Sequence, residues 1–275
     1  MEQFRPGVMD RLGLGHAAMA AVNPKVITCS ITGYGQSGPK RDVAGHDLNY
    51  LGDAGMLSLS HGDPQRPVVP PALIADIAGG AYPAVMNILL ALIRRGITGT
   101  GSQLDISMAD NVFPFLYWAI GNGLGAGQWP RNGGDLVTGG TPRYRLYTAA
   151  DGRLIAAAPL EDKFWAAFCD AIGLEPEWRD DARDPDGTAA RIAAILASQP
   201  SSHWRAVFAG ADCCCSVVAT VEEALSDPHF RARGLFDRVL RADSGATLPA
   251  LPTPLAATLR ADPREAAAPA LGGAV

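Results

Sequence analysis

Residues 25–39 read "KVITCSITGYGQSGP", a short β-branched run that opens after Pro24 and closes in a glycine-rich loop. A run this short, bounded by breakers on both sides, predicts a buried strand over 25–31 feeding a tight turn. Two later stretches decide what surrounds that strand. From Asp76 to Arg95, "DIAGGAYPAVMNILLALIRR", apolar residues recur with helical spacing; Asp76 can cap the start, and Arg94, Arg95 and Gly96 mark the end. Pro83 sits about two turns in, which predicts a kink or a late helix start. "GSQLDISM" at 101–108 reads as a second strand, and "ADNVFPFLYWAIGNGL" at 109–124 as a second helix interrupted by a proline. Strand, helix, strand, helix in this order predicts an α/β fold.

Residues 121–142, "GNGLGAGQWPRNGGDLVTGGTP", are rich in glycine and separate two apolar regions, so they read as a linker or an active-site loop. A second unit is expected from Arg143. "YRLYTAADGRLIAAAP" predicts a hairpin turning at Asp151-Gly152, and "EDKFWAAFCDAIGL" an amphipathic helix. The segment that follows, up to Phe236, predicts a helix, a Ser-capped helix, a short strand and a further helix. The expected division is therefore 1–120, 121–142, 143–235 as a small α+β domain, and 236–275 as a return segment with an irregular tail rich in Pro and Ala.

The 275 residues are 48% hydrophobic and 19% charged, with a net charge of −5, the balance of a folded globular chain. No long basic run supports nucleic-acid binding. Five cysteines, three of them consecutive at Cys213, Cys214 and Cys215, show no spacing that would hold zinc; small core residues leading into a strand are the expected role. The first residues are too polar for a signal peptide, and no apolar run reaches the roughly 18 residues needed to span a bilayer. A cytoplasmic protein without metal, nucleic-acid or membrane partners is expected. Trp118, Trp165 and Trp204 read as core or interface aromatics.

Five blocks carry a further signal: "EQFRPGVMDRLGLG" (2–15), "SITGYGQSGP" (30–39), "AGHDLNY" (44–50), "ADIAGGA" (75–81) and "LEDKFW" (160–165). In this order and spacing they resemble the family III CoA-transferase (CaiB/BaiF) superfamily, most closely its α-methylacyl-CoA racemase branch. The resemblance implies an interlocked homodimer in which a Rossmann-like large domain and a smaller domain meet over an acyl-CoA thioester. CoA is then part of the substrate, and no separate cofactor is expected. The chain departs from the family at its start, where relatives carry roughly 80 more residues, enough for βαβ units of the large domain. Its ending, "APALGGAV", stops before the family's C-terminal helix. An incomplete large domain is expected to expose an unusually large apolar surface.

Inverting the α-carbon of a thioester needs a base on one face, an acid on the other, and stabilisation of the enolate between them. The resemblance assigns the acid/base pair to His46 and Asp76. Imidazole, with an ordinary pKa of about 6.5, suits either role. At Asp76 a helix start favours ionisation and desolvation opposes it, a balance left open by sequence. Taken alone, His46 also fits a loop histidine satisfied by backbone, and Asp76 an N-cap. Asp47 matches the nucleophilic aspartate of the transferase branch, where it would carry CoA between carboxylic acids as an anhydride and then a thioester. Glu161 matches a small-domain carboxylate that approaches the histidine, from the same or the partner subunit; a helix-start acid beside Lys163 is the alternative.

The substrate contacts implied are Arg5 and Arg11 for the CoA phosphates, against the alternative of surface arginines, and Tyr34, Gly35, Gly45, Leu48, Asn49, Tyr50, Gly79 and Gly80 along the cleft. The glycines Gly45, Gly79 and Gly80 would let thioester and pantetheine approach the backbone. The function implied is 1,1-proton transfer on a 2-methylacyl-CoA. The alternatives are CoA transfer through Asp47, or an inactive member of the family.

Overall fold

The computed structural model describes residues 1–260 and 265–267. After two short helices, α1 (Val8–Arg11) and α2 (His16–Val22), the β-branched run forms strand β1 (Ile27–Thr32). Helix α3 (Asp47–Asp53) and a two-residue hairpin, β2 (Gly62–Asp63) with β3 (Arg66–Pro67), lead to α4 (Tyr82–Thr98) and β4 (Ser102–Ser107). β1 and β4 pair in parallel, Ile27 beside Ser102 through Thr32 beside Ser107. On the other side of β1, Glu2 donates to the Cys29 carbonyl at 2.9 Å and accepts from the Ile31 N–H at 3.0 Å, which adds a third parallel element.

The crossover helix departs from its expected bounds at both ends. Pro83 has no N–H to give to the preceding turn, and residues Ala75–Ala81 wind as a π-helix before the α-helix proper starts at Tyr82. Asp76 therefore lies inside the first turn of a continuous helical stretch and does not cap it; the N-cap position is Ile74. At the other end the helix runs through Gly96 and stops at Gly99, which takes φ 74° and gives its N–H to the Arg95 carbonyl.

α4 lays Ala84 and Ile88 on Cys29, Ile31, Leu104 and Ile106 of the strands. Its outer face exposes Val85, Met86, Leu89, Leu90, Ile93 and Ile97, the large apolar surface expected from sequence. By length and mean hydropathy (24 residues, 1.5), the helical stretch Ala75–Thr98 could cross a membrane, which the sequence reading had excluded for every run. That reading counted uninterrupted apolar residues and so stopped at Pro83 and Asn87, whereas the helix passes through both.

A 3₁₀ segment with Pro114 inside it (Asp110–Leu116) precedes α5 (Tyr117–Ala126), as the proline predicted. The second unit opens with β5 (Arg145–Thr148) and β6 (Leu154–Ala157), turning at Gly152 with φ 80°. α6 (Asp162–Ile172), α7 (Pro185–Leu196) and α8 (Ser201–Ala209) follow, and β7 (Cys215–Val217) pairs antiparallel with β6. Tyr147, Ile155 and Val217 from the sheet meet Trp165, Phe168, Ile192, Leu196, Trp204 and Phe208 from the helices in one core.

α8 is not Ser-capped: Pro200 is its N-cap, and Ser201 donates through Oγ and N–H to the Asp151 carboxylate, tying the helix to the hairpin turn. Of the cysteine triplet only Cys213 is fully buried; Cys214 is exposed at φ 51° and Cys215 is half-buried. α9 (Val221–Ser226) and α10 (Pro228–Ala232) close the unit. The tail expected to be irregular contains a sheet of β8 (Val239–Arg241), β9 (Thr247–Pro249) and β10 (Glu265–Ala267). Its hairpin turns at Gly245, φ 81°, a signal that the Pro/Ala-rich composition masked. "APALGGAV" (268–275) lies outside the described residues.

Candidate active site

The parallel strands β1 and β4 end side by side, and Met108 and Ala109 give their N–H groups to the carbonyls of Thr32 and Gly33. Open parallel sheets place their clefts beyond such carboxyl ends. A cleft of about 670 Å³ lies here, lined by Ile31 to Tyr34 after β1, by Met108 after β4, by Phe4 and Arg5 from the first block, and by Arg41 to His46, Asn49, Tyr50 and Asp76.

His46 is the N-cap of α3, and its backbone N–H is held by the Asn49 side chain at 3.1 Å. The turn before it is fixed by Tyr50, whose hydroxyl donates to the Gly45 carbonyl at 2.5 Å and whose ring fills the space that a side chain at Gly33 or Gly45 would need. Tyr34 packs edge-on against Tyr50, with ring centres 5.2 Å apart, and donates to Asp53 at 2.6 Å; Asp53 also pairs with Lys40 at 2.7 Å. Burial, helped by the Asp53 contact, pushes the Tyr34 phenol up to about 12. Tyr50 is likewise raised, by burial first and then by the charges of Asp76 and Asp47, so both phenols stay protonated donors. His46 is left exposed on the cleft wall.

Asp47 follows His46 but is only 5% exposed, and its Oδ1 accepts the backbone N–H of Asp76 at 3.0 Å. This bond joins the two motifs that carry His46 and Asp76. Asp76 is half-buried, and its carboxyl is raised by burial and by the negative charge of Asp47, with His46 opposing the shift. The balance left open by sequence thus falls on the side of desolvation. A second hollow of about 340 Å³ shares His46 and Asp76 and is otherwise lined by Asp47, Leu48, Val69, Pro70, Ala72 and Leu73. The pair stands where the cleft and a mostly apolar hollow meet.

Not every residue expected at the site is there. Gly79 and Gly80 are buried beneath it: a Cβ on Gly79 would lie 2.6 Å from the Met108 carbonyl oxygen, and one on Gly80 would lie 3.0 Å from the Met108 side chain. They allow the helix to press on the end of β4 and do not line the cleft. Gly35, φ 81°, serves the turn after β1, against Asp105 and Ser107. Arg11 lies beside Gly7, outside the cleft lining. Glu161 is the exposed N-cap of α6 and lines neither hollow. Conversely, Thr32, Arg41 and Met108 line the cleft although sequence reasoning passed over them. Thr32 opens the glycine-rich loop after the first predicted strand, and Arg41 falls between the second and third blocks, outside every motif. Among the described residues no cluster of His, Cys, Asp and Glu could hold a metal ion.

The sequence pattern of CoA-transferase family III matches residues 1–274. The chain belongs to that family. Over 279 aligned residues it is 34% identical to the α-methylacyl-CoA racemase of Mus musculus, covering 99% of this chain and 71% of that protein. It is 31% identical over 245 residues to the acetyl-CoA:oxalate CoA-transferase of Acetobacter aceti, covering 85% and 62% respectively. Among solved structures, a CAIB/BAIF family protein from Brucella suis superposes with a TM-score of 0.72 at 26% identity, over 93% of this chain and 67% of that one. Racemases and transferases thus both stand among the relatives of this family III chain, which spans 62% to 71% of the length of these three proteins.

Proposed function

We propose that the protein interconverts the configurations at the α-carbon of a 2-methylacyl-CoA, with His46 and Asp76 as the acid/base pair. The observation that carries this reading is the state of Asp47: buried, with its carboxylate accepting the Asp76 N–H, it acts as an anchor between the two motifs. His46 and Asp76 both line the cleft and the adjoining hollow. One of the pair takes the α-proton, the electron pair of the C–H bond delocalises into the thioester as an enolate, and the other delivers a proton to the opposite face. No group is gained or lost. The raised pKa of Asp76 brings its protonated and ionised forms closer in energy near neutrality, as a group that must act in both directions requires.

The hollow beside the pair favours this substrate over a dicarboxylate. Its lining offers Leu48, Val69, Pro70 and Leu73 and contains no lysine or arginine to hold a second carboxylate. Transfer through Asp47 is the second reading, favoured by the likeness to the acetyl-CoA:oxalate CoA-transferase. Glu161 can join the site only from another copy or after movement of the second unit, since it lines neither hollow; a homodimer is part of this proposal. The test is incubation with a 2-methylacyl-CoA in deuterated water, without added carboxylate. Mass spectrometry is expected to show α-deuteration and no hydroxylamine-trapped adduct on Asp47; an adduct with acceptor-dependent turnover would promote the transferase.

A further inference from the structure

The Glu161 carboxylate is exposed, and among the described residues its side chain forms neither a hydrogen bond nor an ion pair. Lys163, the cation two residues on, places Nζ over the Phe164 ring, 4.4 Å from its centre, instead of on Glu161. The residues on either side of Glu161, by contrast, are tied down by one side chain. Arg143 Nη1 donates to the Leu160 carbonyl at 3.2 Å and to the Asp162 carboxylate at 2.7 Å. The rest of the same guanidinium forks onto Asp181, with Nε at 3.0 and 3.1 Å and Nη2 at 2.8 Å. Its central carbon lies 4.9 Å from the centre of the Trp165 ring, and the Trp165 N–H in turn holds the Glu161 carbonyl at 2.9 Å. The side chains of Arg143 and Asp181 are 20% and 15% exposed. Withdrawing such a pair from water is costly, and packed apolar groups would serve stability as well. What a planar fork adds is a fixed direction.

We infer that Arg143 is a positioning residue for Glu161: by clamping Leu160 and Asp162 to Asp181 and Trp165, it presents the carboxylate between them to the His46 and Asp76 pair of another copy. This rests on the reading above, in which Glu161 joins the site from another copy, and adds the residue that holds it ready. Arg143 itself lines neither the cleft nor the adjoining hollow, so its part is placement. With the backbone on both sides of Glu161 held, only the rotamers of its own side chain remain to be ordered when the site assembles. A helix start without such ties would fray, and a carboxylate displaced by about 1 Å loses much of its effect.

The experiment is a double-substitution cycle in the full chain with Arg143→Lys and Glu161→Gln. It is read as kcat and KM for α-deuterium exchange of a 2-methylacyl-CoA, with the unfolding midpoint of each variant measured alongside. Lysine keeps the charge but cannot hold Asp181, Leu160 and Asp162 in one plane. Each single variant is expected to lower kcat about tenfold with KM as in wild type, and the double variant to be no slower than Glu161→Gln. Asp162→Ala removes only the exposed arm of the clamp. It is expected to lower kcat about threefold without moving the midpoint, and to add nothing to Glu161→Gln. An unchanged kcat in Arg143→Lys, or a loss that multiplies with that of Glu161→Gln, would overturn the inference and leave the racemase reading standing; so would a lowered midpoint with kcat per folded molecule unchanged. Exchange untouched by Glu161→Gln would remove Glu161 from the site, and a wild-type chain without exchange would remove the racemase reading; each takes the inference with it.

Discussion

Between Tyr147 and Val217 the chain builds one continuous core, whereas between Cys29 and Ala119 it builds three small ones. In the first region the helices bring Trp165, Phe168, Trp204 and Phe208 against a three-stranded sheet, and position follows from bulk packing. In the second, position is set by single contacts: Tyr50 on Gly45, Asn49 on the His46 N–H, Asp47 on the Asp76 N–H, and Gly79 pressed on Met108. His46, Asp47 and Asp76 lie in this second region, and Glu161 lies in the first. A thin core there leaves the longest helix with an exposed apolar face, but it also frees the strand ends and the helix start for a cleft. Regions with few buried apolar contacts are the ones that open most readily.

The largest expected effect falls on the packed region. Phe168→Ala, at a fully buried position, should cost about 3–5 kcal/mol in denaturant unfolding. Leu89→Ala on the outer face of α4, where Leu89 is 55% exposed, should stay within about 0.5 kcal/mol. If Leu89→Ala cost as much as Phe168→Ala, that face would be covered in solution and the contrast between the regions would fail.

The next effect belongs to the site. His46→Ala and Asp76→Ala should each slow α-proton exchange by about 10²-fold or more. His46 is exposed, and the anchoring bond to Asp76 uses its backbone, so the unfolding midpoint should move little in either variant. A retained exchange rate would remove the assigned roles; a lost rate accompanied by unfolding would make the residues structural.

How far these regions were legible in the sequence differs for physical reasons. The strands at 27–32 and 102–107, the hairpin at Gly152 and the helix after Glu161 follow from period, turn residues and caps, all local signals. The π-turn before Pro83 was not legible, because the proline announces a break without saying how the freed carbonyls are satisfied. His46 and Asp76 were singled out through motif resemblance, but the bond that joins their motifs spans 29 positions and leaves no local trace. Gly79 was misassigned because a glycine packed on a backbone and one open to a ligand read identically in sequence. Arg41 was missed for the same reason: it lines the cleft only when the loop folds back on Gly7.

The smallest effect is also the most direct test, because it falls on the bond that links the two motifs. Asp47→Asn keeps an oxygen to accept the Asp76 N–H but removes the negative charge that helps raise the Asp76 carboxyl. With that charge gone the Asp76 pKa must fall, so the limb of the exchange-rate profile that reports its ionisation should move to lower pH. The measurement is the pH dependence of α-deuterium incorporation into a 2-methylacyl-CoA by wild type and Asp47→Asn. If Asp47 anchors the pair, the variant keeps its rate at neutral pH within about tenfold and its acid limb shifts downward. If Asp47 is the nucleophile, the variant loses CoA turnover altogether and no shifted profile remains to be measured.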